Sequence, residues 1–311
     1  MDQNLPETET NTWMYHMQQG NFEAAWKRSD LDLQVRAGKS CWHLPRHFQH
    51  IWDGTPLSGK RVLVRCYHGL GDTIQFIRYM PLLKEIAAEV IVWAQSPLIP
   101  LLQTVAGIDQ LLPLHDGTPE VKYDVDVEIM ELPHIFRTTL ASIPHKVPYL
   151  QTEPKLLYPG STQLVVGLVW QAGDWDERRS VPFTYLKSIF KIPGITIYIL
   201  QANAPAAGWQ EGYGVYLGNY SLHDYAAIIK GLDLMITVDS MPAHLAGALG
   251  IPVWTLLHAD PDWRWLENRD DSPWYPTMRL FRQNQPGNWE SVITRVITGL
   301  KSLNQENTIN S

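Results

Sequence analysis

The sequence predicts an α/β protein of two parallel-sheet domains facing each other, and three features carry that prediction. The stretch Arg61-Val-Leu-Val-Arg-Cys-Tyr-His-Gly-Leu-Gly-Asp-Thr-Ile-Gln-Phe-Ile-Arg runs from a short apolar strand through two glycines into an amphipathic helix, which places Asp72 at a strand-to-helix crevice. The stretch Leu232-Asp-Leu-Met-Ile-Thr-Val-Asp-Ser-Met-Pro-Ala-His-Leu-Ala-Gly-Ala-Leu-Gly-Ile-Pro repeats the plan, with a strand ending at Asp239 and a slim helix carrying His244 in its first turn. Between the two, Pro154, Pro159, Gly160 and Ser161 interrupt the alternation of strand and helix patterns as a linker does.

Taken in order, residues 1–60 read as a short helix, from the apolar spacing between Thr12 and Leu31, and an extended arm rich in Trp, His, Pro and Gly. Residues 61–158 form the first domain, with strands at Val62-Leu-Val, Val90-Ile-Val-Trp and Val125 to Ile129, and helices over Ile74 to Ala88 and Pro97 to Ala106. Residues 159–311 form the second. Its strands are Leu164-Val-Val-Gly-Leu-Val-Trp, Ile195-Thr-Ile-Tyr-Ile-Leu, Val215-Tyr-Leu, Leu234-Met-Ile-Thr-Val and Val253-Trp-Thr-Leu-Leu, and a helix from Trp289 to Leu303 closes the chain.

At 311 residues and 45% hydrophobic content the chain can bury a substantial core. A net charge of −7 argues against a polyanion such as nucleic acid as the main partner. Two cysteines, Cys41 and Cys66, are too few for a disulfide framework or a multi-cysteine metal site, which fits a reducing cytoplasm. The polar, acidic start of the chain does not read as a signal peptide, and no apolar run is long enough to span a membrane.

Glycines between a strand and a helix let backbone N–H groups approach a polar or anionic ligand, and the helix N-terminus adds about half a positive charge. Gly69 and Gly71 suit that role, although Ile74 stands where a dinucleotide fingerprint needs its third glycine. Asp72 reads either as an N-cap of a helix starting at Thr73 or as a general base for a hydroxyl nucleophile. Asp239, Ser240, Pro242 and His244 surround a strand end and helix start suited to phosphate. Arg178 and Arg179 lie in a polar loop before a predicted helix. Arg179, nearer the helix, is the better candidate to stabilise a diphosphate leaving group, and Asp176 and Glu177 offer the alternative of a solvated charge cluster. Three D-x-D triplets occur, at Asp124, Asp174 and Asp260; chance alone supplies about one, and strand alternation explains Asp124 and Asp126, so no metal is inferred. Trp254, Trp263, Trp265 and Trp274 read as core or interface residues before they read as sugar platforms.

With these residues in view, the chain resembles glycosyltransferase family 9, the heptosyltransferase-like group, and especially its branch fused to tetratricopeptide repeats. The resemblance rests on Gly69-Leu-Gly-Asp-Thr-Ile-Gln-Phe-Ile-Arg-Tyr-Met-Pro-Leu-Leu, on Val238-Asp-Ser-Met-Pro-Ala-His-Leu-Ala-Gly-Ala-Leu-Gly, and on Asp262-Trp-Arg-Trp-Leu through Ser272-Pro-Trp-Tyr-Pro-Thr-Met-Arg-Leu-Phe-Arg-Gln. It implies a GT-B architecture of two Rossmann-like domains, acceptor on the first and nucleotide-sugar donor on the second, and inverting transfer without a metal or other cofactor. It implies Asp72 as the base, Arg179 near the donor phosphates, Asp239 facing the donor sugar, and Ser240 and His244 in the diphosphate-binding segment. The donor it suggests is an ADP-linked heptose or a similar nucleotide sugar, and the acceptor a glycan or protein of lipopolysaccharide or cell-envelope synthesis, handled in the cytoplasm or by peripheral association with a membrane. Asp239-Ser-Met-Pro departs from the Asp-Thr followed by Gly or Ala of many relatives, which bears on the donor. The stretch Gly20-Asn-Phe-Glu-Ala-Ala-Trp-Lys resembles a remnant of the repeat helices. Two other classes compete: a non-catalytic nucleotide-sugar-binding or scaffold protein, and a nucleotide-sugar epimerase.

Overall fold

The computed structural model describes residues 12–156 and 163–310, with the side chains of 307–310 left aside. The polar N-terminal decapeptide and most of the Pro/Gly linker lie outside the described residues. The described residues form two compact units: those up to 145 together with Asp262–Arg269, and those from 146 to 261 together with those from 270 onward.

The first unit opens with α1 (Trp13–Gln18) and α2 (Phe22–Arg36). One helix was expected over this stretch, but Gly20 adopts a left-handed φ of 72° and ends the first, and Asn21 caps the second by accepting the Ala24 N–H. There follow β1 (Arg61–Arg65), α3 (Leu70–Phe76), α4 (Met80–Ile86), β2 (Glu89–Ala94), α5 (Ile99–Leu102), β3 (Gln110–Pro113), β4 (Val125–Glu128) and α6 (Leu132–Ile135). The helix expected over Ile74 to Ala88 is thus broken. Pro81 has no N–H to return to Ile77, and the chain passes through a 3₁₀ turn at Ile77–Tyr79 before restarting as α4. The edge strand β3, short and half-buried, was not foreseen. The four strands are parallel in the order β3-β2-β1-β4. Chain order reverses between β1 and β4, so the crevice at their carboxyl ends, after Arg65 and Glu128, is the place where such a sheet takes a ligand.

The second unit holds β5 (Leu164–Leu168), α7 (Phe183–Leu186), β6 (Ile195–Ile199), β7 (Val215–Tyr216), α8 (Leu222–Lys230), β8 (Leu234–Val238), α9 (Met241–Ala248), β9 (Val253–Leu257), β10 (Met278–Arg282) and α10 (Trp289–Asn310). Its sheet is parallel in the order β10-β9-β8-β5-β6-β7, with the reversal between β5 and β8. β5, β8 and β9 carry near-continuous apolar runs because both faces are covered, and Leu168, Ile236, Val238 and Leu256 are fully buried.

The slimness of α9 has a specific cause. His244 and Gly247 lie one turn apart, and the Tyr275 ring crosses Gly247 to bring its hydroxyl 2.9 Å from His244 Nδ1. A Cβ on Gly247 would stand 2.4 Å from Tyr275 Cδ1. Gly247→Ala is therefore expected to cost about 1–3 kcal/mol by overpacking, measurable as a lower urea midpoint at unchanged m value.

Candidate active site

In the first unit the loop between β1 and α3 is fastened at each residue. Tyr67 N–H donates to Glu128 Oε1 (3.3 Å), the His68 carbonyl accepts from Gln95 Nε2 (2.7 Å), and Gly69 N–H donates to Asp72 Oδ2 (2.9 Å). Helix α3 starts at Leu70 with Gly69 as its cap, so Asp72 is not the N-cap of a helix starting at Thr73, one of the two readings the sequence left open. It sits in the first turn, where its carboxylate reaches back to the Gly69 N–H and complements the helix dipole. That contact explains Gly69 differently as well. A Cβ there would lie 3.2 Å from Asp72 Oδ2, and the Gly69 N–H is spent on Asp72 instead of being offered to a ligand.

The other Asp72 oxygen is held by a residue given no role in the sequence reading. Arg264 Nη2 lies 2.6 Å from Asp72 Oδ1, while Arg264 Nη1 pairs with Asp262 (2.8 Å) and Nε donates to Gln75 Oε1 (2.7 Å). The segment Asp262–Arg269 reaches this position through a ring contact of Trp263 with Trp13 and a stack of Trp263 on Phe76. Glu128, at the end of β4, is only 2% exposed, and its Oε2 accepts the Met130 N–H (2.7 Å) and lies 3.7 Å from His68 Nε2. Burial pushes the Glu128 carboxyl up to about 8, with Glu131 and Asp72 adding to the effect. Burial lowers His68, and Asp72 opposes that shift. A sequence signal for Glu128 existed: an acid ending an otherwise apolar parallel strand beside a glycine-rich turn.

In the second unit the carboxyl ends of β5, β6 and β8 surround a cavity of about 420 Å³. Val169, Leu200 and Leu222 give it apolar walls, Tyr220 and Tyr225 give it rings, and Ser240, Met241 and Pro242 at the start of α9 close one side. None of its lining side chains carries a full charge. The opening is kept in shape by Gln201, whose Oε1 accepts the N–H groups of Trp170 (3.2 Å) and Gln171 (2.9 Å). Volume and lining suit a small organic ligand with a ring system, and the N-terminus of α9 offers partial positive charge to an anionic part of it.

Of the expected donor residues, Ser240 lines this cavity, while Arg179, Asp239 and His244 lie buried next to it. Arg179 donates to the backbone carbonyls of Asp239 (2.9 Å) and Gly173 (3.0 Å) and lies over the Trp175 ring, which ties the cavity's Gly173 loop to the end of β8. It ends a 3₁₀ turn at Glu177–Arg179, ahead of α7 at Phe183. Arg178 is the solvated member, paired with Asp176 (2.8 Å) and Asp260 (3.4 Å).

Three further D-x-D acids are engaged in the same way: Asp124 pairs with Arg61, Asp126 with Arg65 and Asp262 with Arg264. Among the described residues no group of three or more His, Cys, Asp or Glu could hold a metal ion, and no helix is long and apolar enough to cross a membrane. Trp254, Trp263, Trp265 and Trp274 are all buried, two in each unit, as core residues. Cys66 is buried immediately after β1, and burial raises its thiol.

Comparison with known proteins agrees with the fold. Residues 201–288 match the sequence profile of glycosyltransferase family 9 (heptosyltransferase). Protein FlbA of Caulobacter vibrioides is 26% identical over 291 residues, covering 81% of this chain and 48% of FlbA, so the chain spans about half the length of that relative. A glycosyl transferase family 9 structure from Veillonella parvula superposes with a TM-score of 0.59 at 13% identity, over 81% of this chain and 99% of that one. The E. coli ADP-heptose LPS heptosyltransferase II gives 0.54 at 14%, over 80% and 99%. The iron-containing dodecameric glycosyltransferase TibC from enterotoxigenic E. coli gives 0.52 at 14%, over 82% and 77%. The fold is that of the GT-B-type glycosyltransferases among these structures. Over residues 201–288 the chain is similar to family 9, the heptosyltransferase family.

Proposed function

We propose that the protein transfers a sugar, with inversion and without a catalytic metal, from a nucleotide-sugar donor held in the second unit to a hydroxyl of a glycan or protein acceptor presented at Asp72. The observation that carries this reading is that each sheet has its built site at its own reversal of strand order, one of them a nucleotide-sized cavity and the other an ionisable cluster. The Tyr220 and Tyr225 side takes the base. The N-terminus of α9 takes the diphosphate, and Arg179 holds the loop that lines it. Asp72, kept in place by Gly69 and Arg264, accepts the proton of the attacking hydroxyl, while the electron pair of the sugar–phosphate bond leaves with the nucleoside diphosphate. The likeness to an ADP-heptose enzyme makes an ADP-linked heptose the first donor to try, and cell-envelope glycan synthesis in the cytoplasm the natural setting.

The test is consumption of a panel of ADP-, UDP-, GDP- and dTDP-sugars, followed by mass spectrometry in EDTA and again with added iron or magnesium. Release of ADP from an ADP-sugar in EDTA is the expected result. Release only with metal would sink the metal-independent mechanism, and binding of a donor without any release would turn the reading to a non-catalytic binding protein. The engagement of both Asp72 oxygens is the observation that gives this second reading its weight.

A further inference from the structure

The first unit holds a cavity that the mechanism above does not use. Its volume is about 440 Å³, and it lies between α2, the arm at His50 and the residues Met130 to His134 that follow β4. Charge-assisted bonds tie its walls together. Arg36, the last residue of α2, donates to Glu131 Oε1 (3.3 Å) and to the Trp52 carbonyl (3.0 Å). Glu131 Oε2 accepts the Trp52 N–H (2.9 Å), and His134 Nε2 lies 2.9 Å from Asp30 Oδ1. The walls are therefore fixed, and the space between them is large enough for a small organic ligand. We infer that this cavity holds a sugar of the acceptor, and that the acceptor is an uncharged, hydroxyl-rich glycan.

The lining supports this assignment, which rests on the transferase reading and gives its acceptor a chemical class. Trp13 and Trp26 supply apolar walls against which the C–H face of a sugar ring packs. Arg36 is matched by Glu131, and burial lowers the His50 and His134 rings, so both are neutral at pH 7. Asp32 lines the cavity without a hydrogen bond or ion pair among the described residues, and the ring nitrogens of His50 have no hydrogen bond there either. A carboxylate with two unengaged oxygens accepts from a pair of neighbouring hydroxyls, and a neutral imidazole both gives and takes a hydrogen bond. A charged ligand would have to sit against Arg36 or Asp32 of its own sign, whereas hydroxyl groups bond to either.

A short chain of hydrogen bonds joins the cavity to the loop that carries Asp72. Glu131 Oε2, on the cavity wall, also accepts the Glu128 N–H (2.9 Å), and Glu128 Oε1 accepts the N–H of Tyr67 (3.3 Å), two residues before Gly69. The cavity thus borders the carboxyl end of β4, beside the crevice between β1 and β4. A glycan seated in it extends past that strand end toward the Asp72 turn, and its next sugar offers the hydroxyl whose proton Asp72 takes.

Saturation-transfer NMR of wild type, Asp32→Ala and Val35→Trp tests this with methyl glycosides and disaccharides of glucose, galactose, mannose and heptose, beside glucuronic acid and glucosamine as charged probes. A neutral glycoside is expected to bind wild type saturably. Asp32→Ala, which loses the hydroxyl acceptors, should bind it at least about tenfold more weakly, and Val35→Trp, whose indole fills the mouth of the cavity, should not bind it. Both positions are exposed, Val35 at 68%, so the urea midpoints of the two variants should stay near that of wild type. No neutral glycoside bound by wild type, a preference for a charged probe, or equal binding by all three proteins would each overturn the proposal. Addition of ADP-heptose separates it from the transferase reading, because the bound glycoside should then gain the mass of one heptose residue. Binding that Val35→Trp abolishes, without that gain, keeps the sugar site and contradicts the transferase reading. An equal mass gain in wild type and Val35→Trp keeps the transferase and contradicts the site.

Discussion

Asp72→Asn is expected to lower turnover by about 10²–10⁴-fold, equivalent to roughly 3–5 kcal/mol of transition-state stabilisation, while donor binding stays within about twofold. The amide keeps an oxygen for Arg264, which retains Asp262 and Gln75, so the turn at Trp263–Trp265 stays in place. What is lost is the ability to take a proton. The cavity proposed for the donor is lined by residues between Val169 and Pro242 and shares no side chain with the Asp72 cluster, which is why binding should survive. Steady-state kinetics with calorimetric donor affinity checks this, and a fall in affinity that matched the fall in rate would show Asp72 to be a donor-side or purely structural residue.

The second large effect is on stability. The Glu128 carboxyl is raised by burial from 4.5 to about 8 in the folded chain. Between those two values the folded state holds a proton that the unfolded state has given up, so the stability this group contributes is complete below about pH 4.5, declines as pH rises, and is lost by about pH 8. A shift of this size corresponds to roughly 5 kcal/mol at most. Glu131, also raised by burial, acts in the same direction. Glu128→Gln removes the titration. One carbonyl oxygen then serves two N–H donors at a cost of about 1 kcal/mol at every pH. The variant should therefore be somewhat less stable than wild type at pH 4.5 and several kcal/mol more stable at pH 9, as measured by urea unfolding. Parallel pH dependence in the two proteins would contradict the assignment.

How much of this was legible in the sequence depends on distance along the chain. β8 and α9 were read closely because a continuous apolar run, a serine cap and Pro242 in the first turn act over neighbouring residues. The same local reading placed the Asp72 turn. It also had the four tryptophans as core, whereas it gave His244 to the diphosphate-binding segment, and the structure pairs that imidazole with the Tyr275 hydroxyl. Arg264 could not be seen this way. It lies 192 residues from Asp72, and no spacing rule links a 3₁₀ turn to a helix that far away. Edge strands β3 and β10 were missed because one is short and half-buried and the other interleaves Arg279 and Arg282 with its apolar residues. The helix over Ile74 to Ala88 had the right amphipathic spacing, but periodicity does not register the N–H that Pro81 lacks. Arg179 was found for its charge, whereas the structure has it holding backbone carbonyls around the cavity.

The most direct measurement is calorimetric titration of the wild-type protein and of Ala202→Trp with ADP-heptose. Ala202 is an exposed residue on the cavity wall, so an indole there fills the space meant for the nucleotide without disturbing the core. The account predicts binding to wild type and a loss of at least about tenfold in affinity in the variant, the equivalent of some 1.4 kcal/mol. Equal affinity for both proteins, or no nucleotide sugar bound by either, would contradict it.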